Sequence, residues 1–420
     1  MSSSPLASPE RDQACTLLKD WIQKGSLPYE SGEWQHCSGL TREMVWTCIR
    51  HKGALDAWID HLSTKAPSQN LIPFLWIGLC QLLLLDGIPD HAAVHETLES
   101  AKRSGLPAPP IGFMNAVFRR TLREKEALLK WMETQIPEKR YSHSKVLIDR
   151  WEKTYGASET QKILKWNQER SHTYARITLI GKHLKSDLAL PPETLAHPFR
   201  EGFYQLPRGF SPSQLEDFEK GAWYIQDPST AMAPALLNVQ PGERVLDACA
   251  APGGKTALLA ESLGEQTSRL LACDTNSKRC ERLRENLTRL QFEEVEVKAT
   301  DLPWLPTDPD SRFDAILLDV PCSNTGVYQR RPDAKWNFRK KLLTELIQLQ
   351  YRILTQALPL LRPGGRMVYS TCSIEDEETT RQIKNWLGQH PECELIFEKV
   401  LLPGEEKSDG AYAALIRLND

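Results

Sequence analysis

The sequence predicts an α/β protein whose back half is a doubly wound, mostly parallel sheet, preceded by an all-helical domain and a small mixed α/β connector. Three observations carry this. Up to about Lys130, Leu, Ile, Val and Trp recur at helical spacing with few strand signals. From Pro241 onward, short apolar runs alternate with amphipathic segments, the pattern of parallel strands joined by crossover helices. Between them, helix mixes with short β-branched stretches such as Tyr174–Ile180. A chain of 420 residues exceeds a single compact core. The expected division is 1–130 all-helical, 131–214 connector and 215–420 sheet domain.

In the front part, Cys15–Ile22 and Leu71–Leu85 read as helices. The second is the most apolar stretch of the chain. Pro73 and Gln81 interrupt it, and it falls short of the ~20 apolar residues a bilayer span needs, so it is expected as a buried bundle helix. In the back part, strands are expected at Arg244–Asp247, Leu270–Cys273, Val295–Lys298, Ala315–Asp319 and Arg366–Ser370. Helices are expected at Lys255–Leu263, Ser277–Leu290, Lys341–Leu361 and Asp376–Gln389. This alternation describes a sheet of Rossmann type.

Composition narrows the class. Hydrophobic residues make up 40% and charged residues 25%, which excludes a disordered chain or a membrane protein as the whole description. Met1–Glu10 lacks the cationic lead and apolar core of a secretory signal. The ten cysteines form no CxxC pair and no secreted framework, and they point to free thiols in a reducing cytoplasm. His91 and His95 are a helical i, i+4 pair without further ligands, so no metal site is expected. Net charge is -3, against a generic polycation. Ala101–Leu190 nevertheless carries 18 Lys and Arg against 9 Asp and Glu, and a phosphate-facing surface is expected to start there.

The first strand of the sheet domain runs into Asp247-Ala-Cys-Ala-Ala-Pro-Gly-Gly-Lys-Thr256, a turn of small residues opening a helix. Small residues let a backbone approach a ligand. A dinucleotide site needs G-x-G-x-x-G, and only Gly253 and Gly254 are present. A P-loop would share Gly254, Lys255 and Thr256, but Cys249 stands where its first glycine belongs. The third reading is an S-adenosylmethionine loop formed by Cys249, Ala250, Ala251, Pro252, Gly253, Gly254 and Lys255. Two acids at successive strand ends support it: Asp274, suited to both ribose hydroxyls of an adenosine, and Asp301, within reach of its amino group.

The fourth strand runs into Asp319-Val-Pro-Cys-Ser323 and the fifth into Ser370-Thr-Cys-Ser373. If these strands are neighbours, Cys322 and Cys372 come together at the cofactor edge of the sheet. A thiolate added to carbon 6 of a cytosine turns the ring into an enamine, with electron density at carbon 5 for attack on a methyl sulfonium. An acid must support the ring nitrogen and amine meanwhile, and Asp319 is placed for that.

These segments resemble the Nop/Sun family of RNA cytosine-5 methyltransferases, and the resemblance extends through Gln226-Asp-Pro-Ser229 and Arg330-Arg-Pro-Asp-Ala-Lys-Trp336. It implies a class I methyltransferase domain with Cys372 as nucleophile, Cys322 as helper in product release, and Asp319 at the base and the cofactor. It also implies Cys249 through Lys255, Asp274 and Asp301 around the cofactor. DNA cytosine-5 methyltransferases use the Pro-Cys cysteine for attack, which leaves a fork between Cys322 and Cys372. In the front half, Ile88-Pro-Asp-His-Ala-Ala-Val94 and Gly112-Phe-Met-Asn-Ala-Val-Phe-Arg-Arg120 are similar to the NusB-like RNA-binding domain of the RsmB-type bacterial small-subunit ribosomal RNA methyltransferases. Two departures stand out: no aromatic follows Asp409-Gly410, and Ile177-Thr178 replaces an Arg-Val-Asn-like stretch.

The expected activity is therefore rRNA processing: methylation of carbon 5 of a cytosine, most naturally in small-subunit ribosomal RNA. The expected partner is RNA, with no DNA and no membrane, and the chain is expected to act as a monomer. The base must leave its stack to reach a thiol, and Arg330, Arg331 and Lys335 are expected to hold flanking phosphates. Two rivals stay open: a catalytically idle RNA-binding assembly factor with the same fold, and a methyltransferase for a small molecule or protein.

Overall fold

The structure, a computed structural model, describes residues 9–29, 31–184, 190–305 and 307–420. It divides into two compact units: Met1–Arg170 with Tyr328–Asn337, and Ser171–Val327 with Phe338–Asp420.

The first unit is helical, with its main helices at Pro9–Lys24, Gly39–Arg50, Lys52–Leu62, Ile72–Leu83, Asp90–Arg103, Ala108–Glu133 and Lys145–Gln168. Ile72–Leu83 is apolar all round, and every residue from Pro73 to Leu83 is buried. A helix without a polar face is stable only when neighbours surround it, and this one packs against five others of the unit. Ser38 and Ser144 cap the helices that follow them, accepting from the amides of Thr41 and Leu147. No described helix is long and apolar enough to cross a membrane.

Tyr328–Asn337 leaves the sheet domain's run of sequence and belongs to the helical unit. Lys335 is 2% exposed and donates to the Arg50 carbonyl at 2.6 Å. Arg50 Nη2 donates to the Gln329 carbonyl at 3.0 Å, Trp336 Nε1 to the Ile49 carbonyl at 2.8 Å, and Tyr29 Oη to Asp333 at 2.7 Å. Arg331 lies over the Tyr29 ring and pairs with Asp333. This corrects the expectation that Lys335 holds a phosphate: its ammonium is enclosed and already bonded, and burial followed by the Arg50 charge holds it well below the usual lysine range.

The second unit holds two sheets. A four-stranded antiparallel sheet contains β1 (Tyr174–Ile177), β2 (Leu195–Ala196), β3 (Phe203–Gln205) and β4 (Trp223–Ile225), in the order β2-β3-β1-β4. The segment 131–214 is thus shared between the units, with the helix Lys145–Gln168 in the first and β1 to β3 in the second.

The larger sheet is built from β5 (Val245–Asp247), β6 (Leu270–Asp274), β7 (Glu296–Ala299), β8 (Phe313–Asp319), β9 (Leu361–Thr371), β10 (Cys393–Leu401) and β11 (Ala411–Leu418). Their order is β10-β11-β9-β8-β5-β6-β7. β5 to β9 pair in parallel, and β11 pairs antiparallel with both β9 and β10. The expected parallel core is present, with the helices Gly254–Leu263, Ser277–Arg289, Lys340–Ala357 and Thr380–Leu387. β5, β6, β8 and β9 are buried over most of their length, as strands covered on both faces must be. The chain order reverses at β5, between β6 and β8, so the crevice for a ligand opens at the carboxyl ends of these strands. The hairpin of β10 and β11 was not expected. Its inner strand carries three alanines and its edge strand interrupts apolar residues with Glu394, Glu398 and Lys399, which dilutes the period-two pattern that marks a strand.

Candidate active site

β5 ends in Asp247, which is fully buried. Its Oδ2 accepts from Thr256 Oγ1 at 2.7 Å, while Oδ1 has no hydrogen-bond partner. Burial pushes this carboxyl up to about 7. The small-residue loop follows, and Gly253 turns it with φ +107°, where a Cβ would lie 2.7 Å from Leu283 Cδ1. Only glycine combines that backbone with that contact. The helix Gly254–Leu263 starts immediately after.

At the end of β6, Asp274 is 4% exposed. Its Oδ1 accepts from the Asn276 amide at 3.0 Å, and Arg279 approaches Oδ2 at 3.3 Å. Arg279 also donates to the Ala251 carbonyl at 2.6 Å, bracing the loop against the second strand end. Asp301 caps a short turn after β7, accepting from the Leu302 amide at 2.8 Å. Both acids line a cavity of about 560 Å³, together with Cys249, Ala251 and Lys255 on one side and Asp319, Cys322 and Cys372 on the other. Ala250, Pro252 and Gly254 border a neighbouring hollow of about 150 Å³. The main cavity lies within the usual range for small-molecule sites. Its acids at successive strand ends and a glycine-turned loop at a helix start fit an adenosine carrying a charged amino-acid tail.

Asp319 closes β8, opposite Ser370 of β9 in the sheet register. Lys255 Nζ meets Asp319 Oδ2 at 2.6 Å and Ser370 Oγ donates to Oδ1 at 2.8 Å, so both carboxylate oxygens are held. Burial alone would lower the Lys255 ammonium. The adjacent carboxylate reverses this and holds it above its ordinary value.

The two cysteines do come together, as the strand order requires. Their sulfurs are 3.1 Å apart, although 50 residues separate them in sequence. Cys372 is half-buried and its thiol also donates to Asn324 Oδ1 at 3.4 Å. The hydrogen bond with Cys322, and then burial, push the Cys372 thiol well above its usual range. A second, smaller cavity of about 60 Å³ borders Cys372 from another side, lined by Asp227, Lys255, Asp319, Ser370 and Tyr412 among others. Cys372, Lys255 and Asp319 therefore face both spaces.

Sequence reasoning missed several residues that shape this site. Arg279 and Ser370 hold site acids, and Asn324 touches the thiol. Glu378, fully buried, bonds both serines that follow the cysteines. The visible signal was that each cysteine is followed by a hydroxyl residue. Gly326 marks the same convergence: its amide donates to the Cys372 carbonyl at 2.9 Å, and a Cβ there would lie 2.5 Å from that oxygen.

The arrangement agrees with what known proteins share. Residues 234–417 match the family described as 16S rRNA methyltransferase RsmB/F, and residues 10–123 match the NusB family. The chain is 34% identical over 396 residues to ribosomal RNA small subunit methyltransferase B of Erwinia tasmaniensis, covering 90% of both chains. It is 36% identical over 395 residues to the protein of that name from Escherichia coli, again covering 90% of both. A methyltransferase homologue from Pyrococcus horikoshii, 26% identical, superposes with a TM-score of 0.56 over 67% of this chain and 97% of that one. The methyl donor of such enzymes is S-adenosylmethionine, and the cavity described above suits it. With a NusB-type helical unit ahead of this sheet and this loop, the chain belongs to the RsmB/F family of 16S rRNA methyltransferases.

Proposed function

We propose that this protein methylates carbon 5 of a cytosine in small-subunit ribosomal RNA through a covalent adduct on Cys372, acting as a monomer in the cytoplasm. The observation that carries this reading is the pair of sulfurs 3.1 Å apart on the wall of the cofactor cavity. One buried thiol has an ordinary structural explanation. Two touching thiols beside a methyl-donor site do not.

Bound S-adenosylmethionine supplies an electrophilic methyl group. In the proposed reaction the Cys372 thiol first loses its proton, and its sulfur bonds to carbon 6 of the base in the smaller cavity. Asp319 supports the ring nitrogen and exocyclic amine, and its bond to Lys255 keeps it oriented. Carbon 5 takes the methyl group and then loses its proton to a base. The carbon–sulfur bond breaks, the ring double bond re-forms, and Cys322 assists the departure of Cys372. The roles of Cys249 through Lys255, Asp274 and Asp301 are to hold the donor. That Asp319 borders both spaces supports a role toward donor and base alike.

The test pairs purified protein and labelled S-adenosylmethionine with undermodified ribosomal RNA in one arm and with small molecules and proteins in the other. Label in RNA as 5-methylcytosine supports the reading. Label only in the second arm, or RNA binding without transfer, overturns it. Bisulfite sequencing of ribosomal RNA from cells with and without the protein then locates the base.

A further inference from the structure

We propose that Glu378 is a positioning residue that fastens the two catalytic cysteines to each other, an inference that rests on the reading of Cys322 and Cys372 as the working pair. Glu378 lies in a short turn after β9, is fully buried, and has no access to either cavity's donor or base. All of the hydrogen bonds given for its carboxylate go to the two cysteine loops and their supports. Oε1 accepts from the Ser323 amide at 3.0 Å and from Gln350 Nε2 at 2.9 Å. Oε2 accepts from both serine hydroxyls, Ser373 Oγ at 2.5 Å and Ser323 Oγ. Each of these serines is bonded in sequence to a cysteine, so one carboxylate sets the separation of the two sulfurs.

The surrounding bonds make the fastening rigid. Gln350, on the helix Lys340–Ala357, also donates to the Pro321 carbonyl at 2.9 Å, which fixes the residue before Cys322. Tyr369 Oη donates to the Glu378 carbonyl at 2.8 Å. Thr325 lies 3.1 Å from Ser373 Oγ and accepts from the Ile374 amide at 3.0 Å. Leaving such buried donors unpaired is costly, so the loops have little freedom while the carboxylate is present.

The two oxygens have different duties, and this separates geometry from charge. Oε1 meets N–H donors only, so an acceptor is obligatory there. Oε2 meets hydroxyls, which can turn and accept. A glutamine amide can therefore satisfy the same four partners, with its oxygen at the first position and its NH₂ at the second. The fastening role needs the shape and the bonds, and not the charge.

The experiment compares the full-length wild-type protein with Glu378→Ala, Glu378→Gln and Ser373→Ala. It reads methyl transfer to RNA at saturating donor, donor affinity, and the rate at which diamide joins Cys322 to Cys372, followed by peptide mass spectrometry. In that last reaction two thiols become a disulfide as diamide is reduced to its hydrazine, so the rate reports sulfur proximity without requiring catalysis. Glu378→Ala is expected to lose about 100-fold in kcat, the scale of an ångström-sized misplacement, to form the disulfide slowly, and to bind donor as before. Glu378→Gln is expected to recover much of both losses. If Glu378→Ala does not fold, Ser373→Ala, which removes one of the carboxylate's four bonds along with the Ser373 hydroxyl's contacts to Ser323, Thr325 and the Glu375 amide, must show the same two losses to a smaller degree. Wild-type transfer and wild-type disulfide formation in a folded Glu378→Ala or Ser373→Ala protein overturn the proposal, as does a Glu378→Gln protein no better than alanine. A Cys372→Ala control that still methylates RNA would instead sink the reading of the thiols, while the disulfide rates would still judge the fastening.

Discussion

The sulfurs of Cys322 and Cys372 face each other at 3.1 Å, and only Cys372 also borders the small cavity beside the cofactor space. In the mechanism we propose, that asymmetry favours Cys372 as the attacking thiol and Cys322 as the one that assists release. Cys372→Ala should abolish methyl transfer. Cys322→Ala should still attack and then fail to let go, leaving an RNA–protein adduct that survives denaturing electrophoresis. An adduct seen with Cys372→Ala instead would exchange the two roles.

The Cys372 thiol is held well above the ordinary cysteine range, first by its bond to Cys322 and then by burial. The thiolate is the nucleophile, so the single-turnover rate should climb from neutral into alkaline pH and should not level off near neutrality. In Cys322→Ala the main cause of the elevation is gone, and the adduct should form with a profile displaced to lower pH. Identical profiles for the two proteins would show that another group governs the rise.

Asp274 presents a nearly buried carboxylate to the donor cavity. A hydrogen bond to a charged group contributes about 1.5–3 kcal/mol, so Asp274→Ala should weaken donor binding by about 10- to 150-fold. Calorimetric titration with a donor analogue checks this. Unchanged affinity in a folded protein would move the adenosine elsewhere in the cavity.

In the helical unit, His143 Nδ1 lies 2.5 Å from the Tyr141 carbonyl and Nε2 lies 3.2 Å from Asn167 Nδ2. One nitrogen donates and the other accepts, which is the neutral ring. Burial, then the Lys335 charge, hold its pKa well below the usual value. The unfolded chain therefore binds a proton first as pH falls. Stability from this site is complete above the unfolded value of about 6.5 and is lost as pH drops below it. Thermal melting of the protein should show that loss on the acid side, and His143→Gln should flatten it. An acid profile unchanged by the substitution would place the sensitivity in other groups.

Arg119, Arg123 and Lys130 lie exposed along the helix Ala108–Glu133, within the basic stretch of the sequence. RNA affinity should fall steeply with salt. Each phosphate contact removed by alanine substitution here should reduce the log–log slope by about 0.7–0.9. A slope that does not change would remove this helix from the RNA surface.

Much of this protein was legible before any coordinates. β5, β6, β8 and β9 were readable because each holds a short apolar run closed by an acid or a cysteine-bearing turn, β7 is a mostly exposed Glu-Val-Lys-Ala stretch ahead of Asp301, and all five begin or end within a few residues of the expected limits. The loop from Cys249 to Lys255 was legible because small residues before a helix have few other uses. The final hairpin was not. β11, with its alanines, becomes strand by pairing with β9, and β10, with its charges, by pairing with β11, a long-range effect that local composition does not encode. Lys335 misled for a related reason. A lysine beside two arginines reads as solvent-facing, and its burial against the Arg50 carbonyl depends on helices far away in sequence.

From the sequence alone came the candidates for the chemistry: two cysteines, an acid and a small-residue loop at strand ends, recognisable because residue type and strand-end position are both local, with their proposed roles implied by the family resemblance. Tertiary structure alone decided how they act on one another. The 3.1 Å approach of two sulfurs, the clasp of Lys255 on Asp319, and the single carboxylate of Glu378 beneath both cysteine turns arise where β8 and β9 are paired side by side. Distances of that kind are set by how strands are ordered and packed, and no stretch of chain carries them by itself.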